Sequence, residues 1–133
     1  MTDLEIAIAN LGGHSICLCR NGDYFTEDGK GISPIMRLID ENRKLKGFSV
    51  ADVIVGKAAA MLFVKEEIVS VYGKIMSYGA ITFLEHHGIH FEYDELTKNI
   101  INHQGTDICP MEKTVDSLSD VNDAYKALLQ KIK

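Results

Sequence analysis

From residue 48 onward, the sequence alternates short apolar runs with helical patterns at intervals of roughly 10 to 15 residues. The apolar runs predict strands at residues 48–55, 67–72 and 89–93. The helical patterns between them fall at residues 57–65 and 77–88. Strands that alternate with helices are typical of βαβ units, in which parallel strands are covered by their connecting helices. This half of the chain therefore predicts a parallel sheet.

The N-terminal part of the chain has a different pattern. Asn21-Gly22 lies between β-type residues and is a strong signal for a tight hairpin. It separates predicted strands at residues 15–19 and 24–26, and predicted helices at residues 3–11 and 33–44 flank the hairpin. A hairpin beside parallel strands predicts a mixed sheet with an antiparallel edge.

The C-terminal third predicts short helices and one loop. Asp94 is predicted to cap a short helix through Ile101, and the polar residues 102–108 predict a loop. Pro110 is typical of the first position of the next helix. The last helix is predicted at residues 119–131, where apolar residues recur on one side.

The chain contains 133 residues and shows no repeat, linker or low-complexity tract. A chain of this length buries about two thirds of its unfolded surface, so it folds without disulfides or a structural metal. We therefore predict a single domain over residues 1–133. Its predicted fold class is α/β: a three-layer sandwich whose mixed sheet has an N-terminal antiparallel hairpin and helices on both faces.

Charge and cysteine content narrow the partners and the compartment. The chain has 14 Lys and Arg against 19 Asp and Glu, a net charge of −5, which argues against nucleic acid and anionic membranes as partners. Its longest apolar runs, such as residues 58–64, are shorter than the roughly 20 residues that span a bilayer. Three cysteines do not make a disulfide framework, so we expect a reducing cytoplasm. Cys17 and Cys19 share one face of a strand and are interpreted as small core residues.

Lys57 stands where a buried strand passes through Gly56 directly into a helix. In open α/β sheets, ligands bind in the crevice between strand ends and the following helix N-termini. Because a cation at a helix N-terminus is unfavourable, Lys57 either extends into solvent or is held by an anion such as a phosphate. Both interpretations remain open on the sequence alone.

Cys109 precedes Pro110 and is therefore predicted to be the N-cap of a helix. Glu112 would then stand at the third helical position, where its carboxylate can accept a hydrogen bond from the Cys109 backbone N–H. A helix N-terminus favours the thiolate, and His103 lies six residues upstream as a candidate base. Cys109, His103 and Glu112 are thus the candidate catalytic residues, against the alternative of a capping cysteine under a packed loop.

Three segments together resemble a known family. They are residues 55–60 (VGKAAA), the helix at 77–88, and residues 105–112 (GTDICPME). This combination resembles a prokaryotic domain-of-unknown-function family with a cytidine-deaminase-like fold, over about residues 15–115. The resemblance implies the order of helices and strands predicted above, but it implies no established activity.

The comparison with deaminases tests one kind of chemistry. Zinc deaminases place a His or Cys with a Glu at the start of one core helix and Pro-Cys-x-x-Cys at the start of the next. Here those positions hold Lys57 and Ser77 with their neighbours, so we expect no zinc and no other cofactor. The crevice itself is a product of the fold, and a ligand there is predicted to meet Gly56, Lys57, Ser77, Asp107 and Cys109.

Three classes of function remain. The first is a metal-free binding module for a nucleotide or another phosphorylated small molecule, with Lys57 as the counter-charge. The second is a cysteine-dependent group-transfer enzyme that uses Cys109 with Lys57 or His103. The third is a structural module that forms a homo-oligomer through the open sheet edge.

Overall fold

The computed structural model describes residues 1–132; residue 133, the last of the predicted domain, lies outside the described part. In chain order, the elements are α1 (Asp3–Ala9), β1 (Ile16–Arg20), β2 (Asp23–Glu27), α2 (Ser33–Asp40), β3 (Ser49–Val55), α3 (Lys57–Lys65), β4 (Ser70–Ser77), α4 (Tyr78–His86), β5 (His90–Thr97), α5 (Pro110–Val115) and α6 (Val121–Ile132).

The five strands form one mixed sheet in the order β2-β1-β3-β4-β5. β1 is antiparallel to both β2 and β3, whereas β3, β4 and β5 run parallel to one another. The turn between β1 and β2 has positive φ at Asn21 (53°) and Gly22 (84°), as tight hairpin turns of type I′ require. The predicted α/β class and the mixed sheet with an antiparallel hairpin at its edge are confirmed.

Helices cover both faces of the sheet unequally. On one face, α1 packs Leu4 and Ala7 against Cys17 and Cys19, and both cysteines are fully buried, as expected for small core residues. On the other face, α2 to α6 build the larger core, which includes the fully buried Phe63 of α3. α6 packs on α3 and α5. No helix within residues 1–132 is long and apolar enough to cross a membrane.

The helix predicted from Asp94 through Ile101 is wrong, because β5 continues through Asp94 to Thr97. The last residues of β5 pair with β4. β4 also extends to Ser77, five residues beyond the predicted end of that strand. For example, Met76 pairs with Leu96. Backbone pairing with a neighbouring strand here overrides the local helical tendency of Asp-Glu-Leu.

Several helix ends also differ from the prediction. α2 begins at Ser33, which is helical instead of the N-cap, and it ends at Asp40 instead of residue 44. α6 begins at Val121 because the Asp120 carboxylate accepts backbone N–H bonds from Asn122 and Asp123, both at 2.9 Å. A side-chain acceptor at this position is a common start of a helix.

Candidate functional site

Two helix N-termini lie next to each other at the carboxyl ends of the parallel strands. α3 follows β3 through Gly56, and α4 follows β4 directly. Ser77 caps α4 locally: its hydroxyl accepts a hydrogen bond from the Ala80 N–H at 3.1 Å. Gly56 has no side chain with which to cap α3. The first N–H groups of α3 therefore need an acceptor from elsewhere in the chain.

That acceptor is Glu112 of α5. Its two carboxylate oxygens accept hydrogen bonds from the Lys57 N–H at 2.8 Å and the Ala58 N–H at 3.0 Å. Burial raises the pKa of Glu112, and these two hydrogen bonds offset part of that rise. A Cβ on Gly56 would overlap the Glu112 carboxylate, so a larger residue at this position would displace the carboxylate from α3. The anion at the start of α3 is thus a side chain of the protein itself.

The predicted capping box at α5 is wrong. Cys109 is the N-cap of the helix, and Pro110 is its first residue, as predicted. However, the Cys109 N–H donates to the Ile100 carbonyl at 2.8 Å, so it is not available to Glu112. The Glu112 carboxylate points to α3 instead. This contact joins residues 55 positions apart, which local spacing does not reveal.

A small cavity of about 240 Å³ lies beside the N-terminus of α4. Three lysines contribute to its wall: Lys57, Lys98 and Lys113. Ser77 and Gly79 line it from the α4 side. Lys57 Nζ donates to the Asp116 carbonyl at 3.0 Å, which holds its ammonium group at the cavity. We call this space the lysine cavity.

A larger cavity of about 770 Å³ lies on the other side of Glu112. The loop after β5, the start of α5 and the segment before α2 contribute to its wall. Its apolar lining includes Ile32, Ile54, Ala59, Ile101 and Met111. Ile100 and Glu112 line both cavities, so the two spaces adjoin. We call this larger space the apolar cavity.

One carboxyl group in the apolar cavity has no functional prediction from the sequence. Asp52 of β3 is only 9% exposed. Its recorded side-chain hydrogen bond is a long one, 3.4 Å from the Ile54 N–H. Burial raises the pKa of Asp52 to about 7, and the Ile54 and Val53 N–H groups offset part of the rise. A lone acid within the apolar run of β3 is the sequence signal that could have identified it.

Comparisons with known proteins identify the family. The model of the family described as "Domain of unknown function (DUF1893)" matches residues 7–132. The chain belongs to the DUF1893 family. Among solved structures, it is similar to the DUF1893 family protein TM1506 from Thermotoga maritima, with 28% sequence identity and a TM-score of 0.80. That match covers 88% of this chain and 80% of the other. No curated protein matches the chain.

In this DUF1893 domain, the predicted ligand-binding residues do not line one common cavity. Lys57 and Ser77 line the lysine cavity, whereas Gly56 and Cys109 line the apolar cavity. Asp107 lines neither of the two and pairs with Lys113 through its carboxylate. The Lys113 contact, together with the Ile108 N–H, lowers the pKa of Asp107.

The predicted catalytic candidates Cys109, His103 and Glu112 all line the apolar cavity. Glu112 serves as the α3 cap. Among the hydrogen bonds of residues 1–132, none joins the Cys109 and His103 side chains. The described part of the chain also contains no group of three His, Cys, Asp or Glu that could hold a metal ion.

Proposed function

We propose that this DUF1893 domain binds a nucleotide or another phosphorylated small molecule across the two adjoining cavities. In this arrangement, the phosphate lies in the lysine cavity and the organic part lies in the apolar cavity. The observation that carries the proposal is the convergence of Lys57, Lys98 and Lys113 beside a cavity that adjoins a larger, apolar one.

The lysine cavity has the chemistry that a phosphate requires. Lys57, Lys98 and Lys113 contribute to its wall, and the N–H groups at the start of α4 carry the positive end of the helix dipole. The ammonium group of Lys113 is paired with the Asp107 carboxylate, so Lys57 and Lys98 are the main candidates for the phosphate. Ser77 satisfies one of these N–H groups, that of Ala80. Glu112 and Asp116 also line the cavity and reduce its positive charge. α3 provides no second anion site, since Glu112 already occupies its N-terminus.

The apolar cavity has the character of a site for an organic group. Its volume of about 770 Å³ falls in the range of roughly 300 to 1,000 Å³ that small-molecule sites occupy. Its lining combines aliphatic side chains with several polar residues, which include Asp52. Such sites bind a ligand through apolar contact and orient it through a small number of polar contacts.

We further propose that the fold is cytidine-deaminase-like. The order of the strands, with α3 and α4 starting at the ends of parallel β3 and β4, agrees with what the sequence resemblance implies. At the two helix starts, Lys57 and Ser77 replace the metal ligands of deaminases. Free thiols at Cys17, Cys19 and Cys109 support a reducing, cytoplasmic location within the same proposal.

A comparison of nucleotides with their nucleosides tests the proposal, because each pair differs only by the phosphate. We expect nucleoside monophosphates to bind more tightly than the matched nucleosides in calorimetric titrations. Lys57→Met and Lys98→Met should each weaken nucleotide binding by roughly tenfold to a hundredfold, since a charged hydrogen bond contributes about 1.5 to 3 kcal/mol. Both substitutions keep an aliphatic side chain and remove the charge.

Lys74→Met is the matched control. Lys74 is an exposed residue of β4 that lines neither cavity. Its substitution should leave nucleotide binding unchanged, and none of the three variants should alter nucleoside binding. If nucleotides and nucleosides bind equally well, or if Lys57→Met and Lys98→Met bind nucleotides as the wild type does, the phosphate assignment is wrong.

A second candidate function is a cysteine-dependent group-transfer reaction. It is favoured by the presence of Cys109 and His103 in the wall of one cavity. Cys109 is partly exposed, whereas Cys17 and Cys19 are fully buried. Burial also raises the pKa of Cys17 to about 11.

Alkylation with iodoacetamide tests this candidate. We expect Cys109 to react first, as measured by peptide mass spectrometry over time. A nucleophilic Cys109 should also react at a pH well below that required by an ordinary thiol, and His103→Gln should slow it. If Cys109 of the wild type and of His103→Gln react at the same rate across pH, the cysteine is an ordinary capping residue.

A further inference from the structure

The buried polar residues of the domain differ in how they are satisfied. They are Ser49, Asp52 and Ser77. The Ser49 hydroxyl accepts a hydrogen bond from the Ser70 hydroxyl at 2.6 Å, and Ser77 caps α4. Asp52 instead has the long contact with the Ile54 N–H. Of these three side chains, that of Asp52 has the weakest hydrogen bonding.

In the described part of the chain, Asp52 also has no cationic partner. Within residues 1–132, no Lys, Arg or His nitrogen lies within 4.0 Å of its carboxylate. Carboxylates are rarely buried unless they are paired, since an unpaired buried charge is costly. A structural explanation would be a helix cap, but Glu112 already caps α3. The fold therefore gives Asp52 no role that accounts for its burial.

Asp52 contributes to the wall of the apolar cavity. A carboxylate has about four acceptor positions on its two oxygens. The Ile54 N–H, at 3.4 Å, and the Val53 N–H approach only part of this acceptor capacity. The remaining acceptor positions of the Asp52 carboxylate lie at a cavity large enough for a small molecule. They favour a ligand that donates hydrogen bonds.

We infer that Asp52 accepts hydrogen bonds from an amino group of the ligand, and that the organic part of the ligand is a nitrogen heterocycle bearing this amino group. The inference rests on the proposed function, which places the organic part in this cavity. Aliphatic side chains such as Ile54, Ala59 and Met111 offer apolar contact to a flat ring. An amino group donates hydrogen bonds to the ionised carboxylate, whereas a carbonyl oxygen facing it would place two acceptors against each other. The preference for an amino group therefore applies above about pH 7, where Asp52 is ionised.

Other groups in the wall are less suited to this role. The titratable residues that line the cavity besides Asp52 are His14, Lys30, His103, Cys109 and Glu112. Glu112 already accepts two short hydrogen bonds. His14 contacts Asp28 at 3.2 Å, and His103 and Lys30 are exposed. Asp52 is therefore the group that distinguishes an amino substituent from a carbonyl.

Three pairs of nucleosides test the inference without any phosphate. Cytidine and uridine, adenosine and inosine, and guanosine and xanthosine each differ in an amino group that is replaced by a carbonyl oxygen. In calorimetric titrations with the full chain above about pH 7, where Asp52 is ionised, we expect an amino-bearing nucleoside to bind roughly ten to a hundred times more tightly than its carbonyl counterpart, the range of a charged hydrogen bond. Asp52→Asn should reduce this preference by the same factor, because the amide loses one acceptor and the charge.

Asp40→Asn is the control substitution, because Asp40 is an exposed residue at the end of α2 and lines neither cavity. It should retain the full amino preference. Thermal unfolding of Asp52→Asn checks that the variant is folded. The wild-type titrations test the inference on their own in case the variant does not fold.

The outcomes separate the two proposals. If no amino-bearing nucleoside binds the wild type more tightly than its counterpart, the inference is wrong, even where the phosphate of a nucleotide strengthens binding. If the amino preference holds and the phosphate adds nothing, the inference stands and the phosphate assignment falls. If neither nucleosides nor nucleotides bind, both proposals are overturned.

Discussion

Two carboxyl groups in the wall of the same cavity, the buried Asp52 and the partly buried Glu112, have opposite surroundings. Glu112 accepts hydrogen bonds at 2.8 Å and 3.0 Å from the first N–H groups of α3. Within residues 1–132, Asp52 has only the N–H groups of its own strand as donors: that of Val53 and, at 3.4 Å, that of Ile54. Burial raises the pKa of both groups, and it raises that of Asp52 to about 7.

The two carboxyl groups differ in their role: Glu112 caps a helix, whereas Asp52 has no such role and is available to a ligand. Glu112 joins α5 to α3, and its charge complements the helix dipole. Removing it should therefore weaken the folded state. Asp52 is buried with little compensation, so removing its charge should strengthen the folded state and weaken binding of a donor ligand. Substitutions at the two positions should thus change stability in opposite directions.

The largest effect is expected from Asp52→Asn at neutral and alkaline pH. Since the pKa of Asp52 rises from 3.8 to about 7 on folding, its protonated form stabilises the folded state. This contribution is fully present below pH 3.8 and is lost as the pH rises through about 7. The loss amounts to about 4 kcal/mol at 1.36 kcal/mol per pKa unit.

Urea denaturation of the wild type and Asp52→Asn at a series of pH values checks this prediction. The free energy of unfolding of the variant relative to the wild type should increase between about pH 4 and 7 and stay constant above that. Using the difference between the two proteins cancels the contributions of the other titrating groups. A difference that does not vary with pH would show that Asp52 is ionised and well solvated in the folded protein.

Glu112→Ala should have the next largest effect, in the opposite direction. Its removal leaves the Lys57 and Ala58 N–H groups without their acceptor, which costs about 1 to 3 kcal/mol. Glu112→Gln keeps one carbonyl acceptor and removes a charge that burial disfavours, so it should cost less than Glu112→Ala. Urea denaturation at pH 7 measures both. If Glu112→Ala is as stable as the wild type, the contact between α5 and α3 does not stabilise the fold.

The same contrast explains what could be predicted from the sequence. The strand, Gly56 and the alanine-rich helix are adjacent in the chain, so α3 was predicted with the observed bounds, Lys57–Lys65. Ser77 was likewise identified as the cap of α4, because a cap and its helix are neighbours. These are local signals, and the structure confirms them.

Signals that depend on distant partners were missed. The sequence predicted that the Glu112 carboxylate accepts from Cys109 at the start of its own helix, whereas it accepts from Lys57, 55 residues away. The end of β5 was predicted as a helix because its pairing with β4 is not visible in the local sequence. Asp52 was treated as part of a buried strand, although a single acid in such a run is itself an unusual residue.

The smallest effect is expected from Ser77→Ala, which removes the local cap of α4. The Ala80 N–H loses the Ser77 hydroxyl, and the loss of an N-cap side chain costs about 1 kcal/mol. Ser77→Asn supplies another good N-cap residue and should recover most of that loss. In urea denaturation at pH 7, Ser77→Ala should be destabilised less than Glu112→Ala, because the serine satisfies one N–H and the glutamate satisfies two. If Ser77→Ala loses as much free energy of unfolding as Glu112→Ala, or more, the long-range cap of α3 stabilises the fold no more than an ordinary local cap. The contrast between the two carboxyl groups would then depend on Asp52 alone.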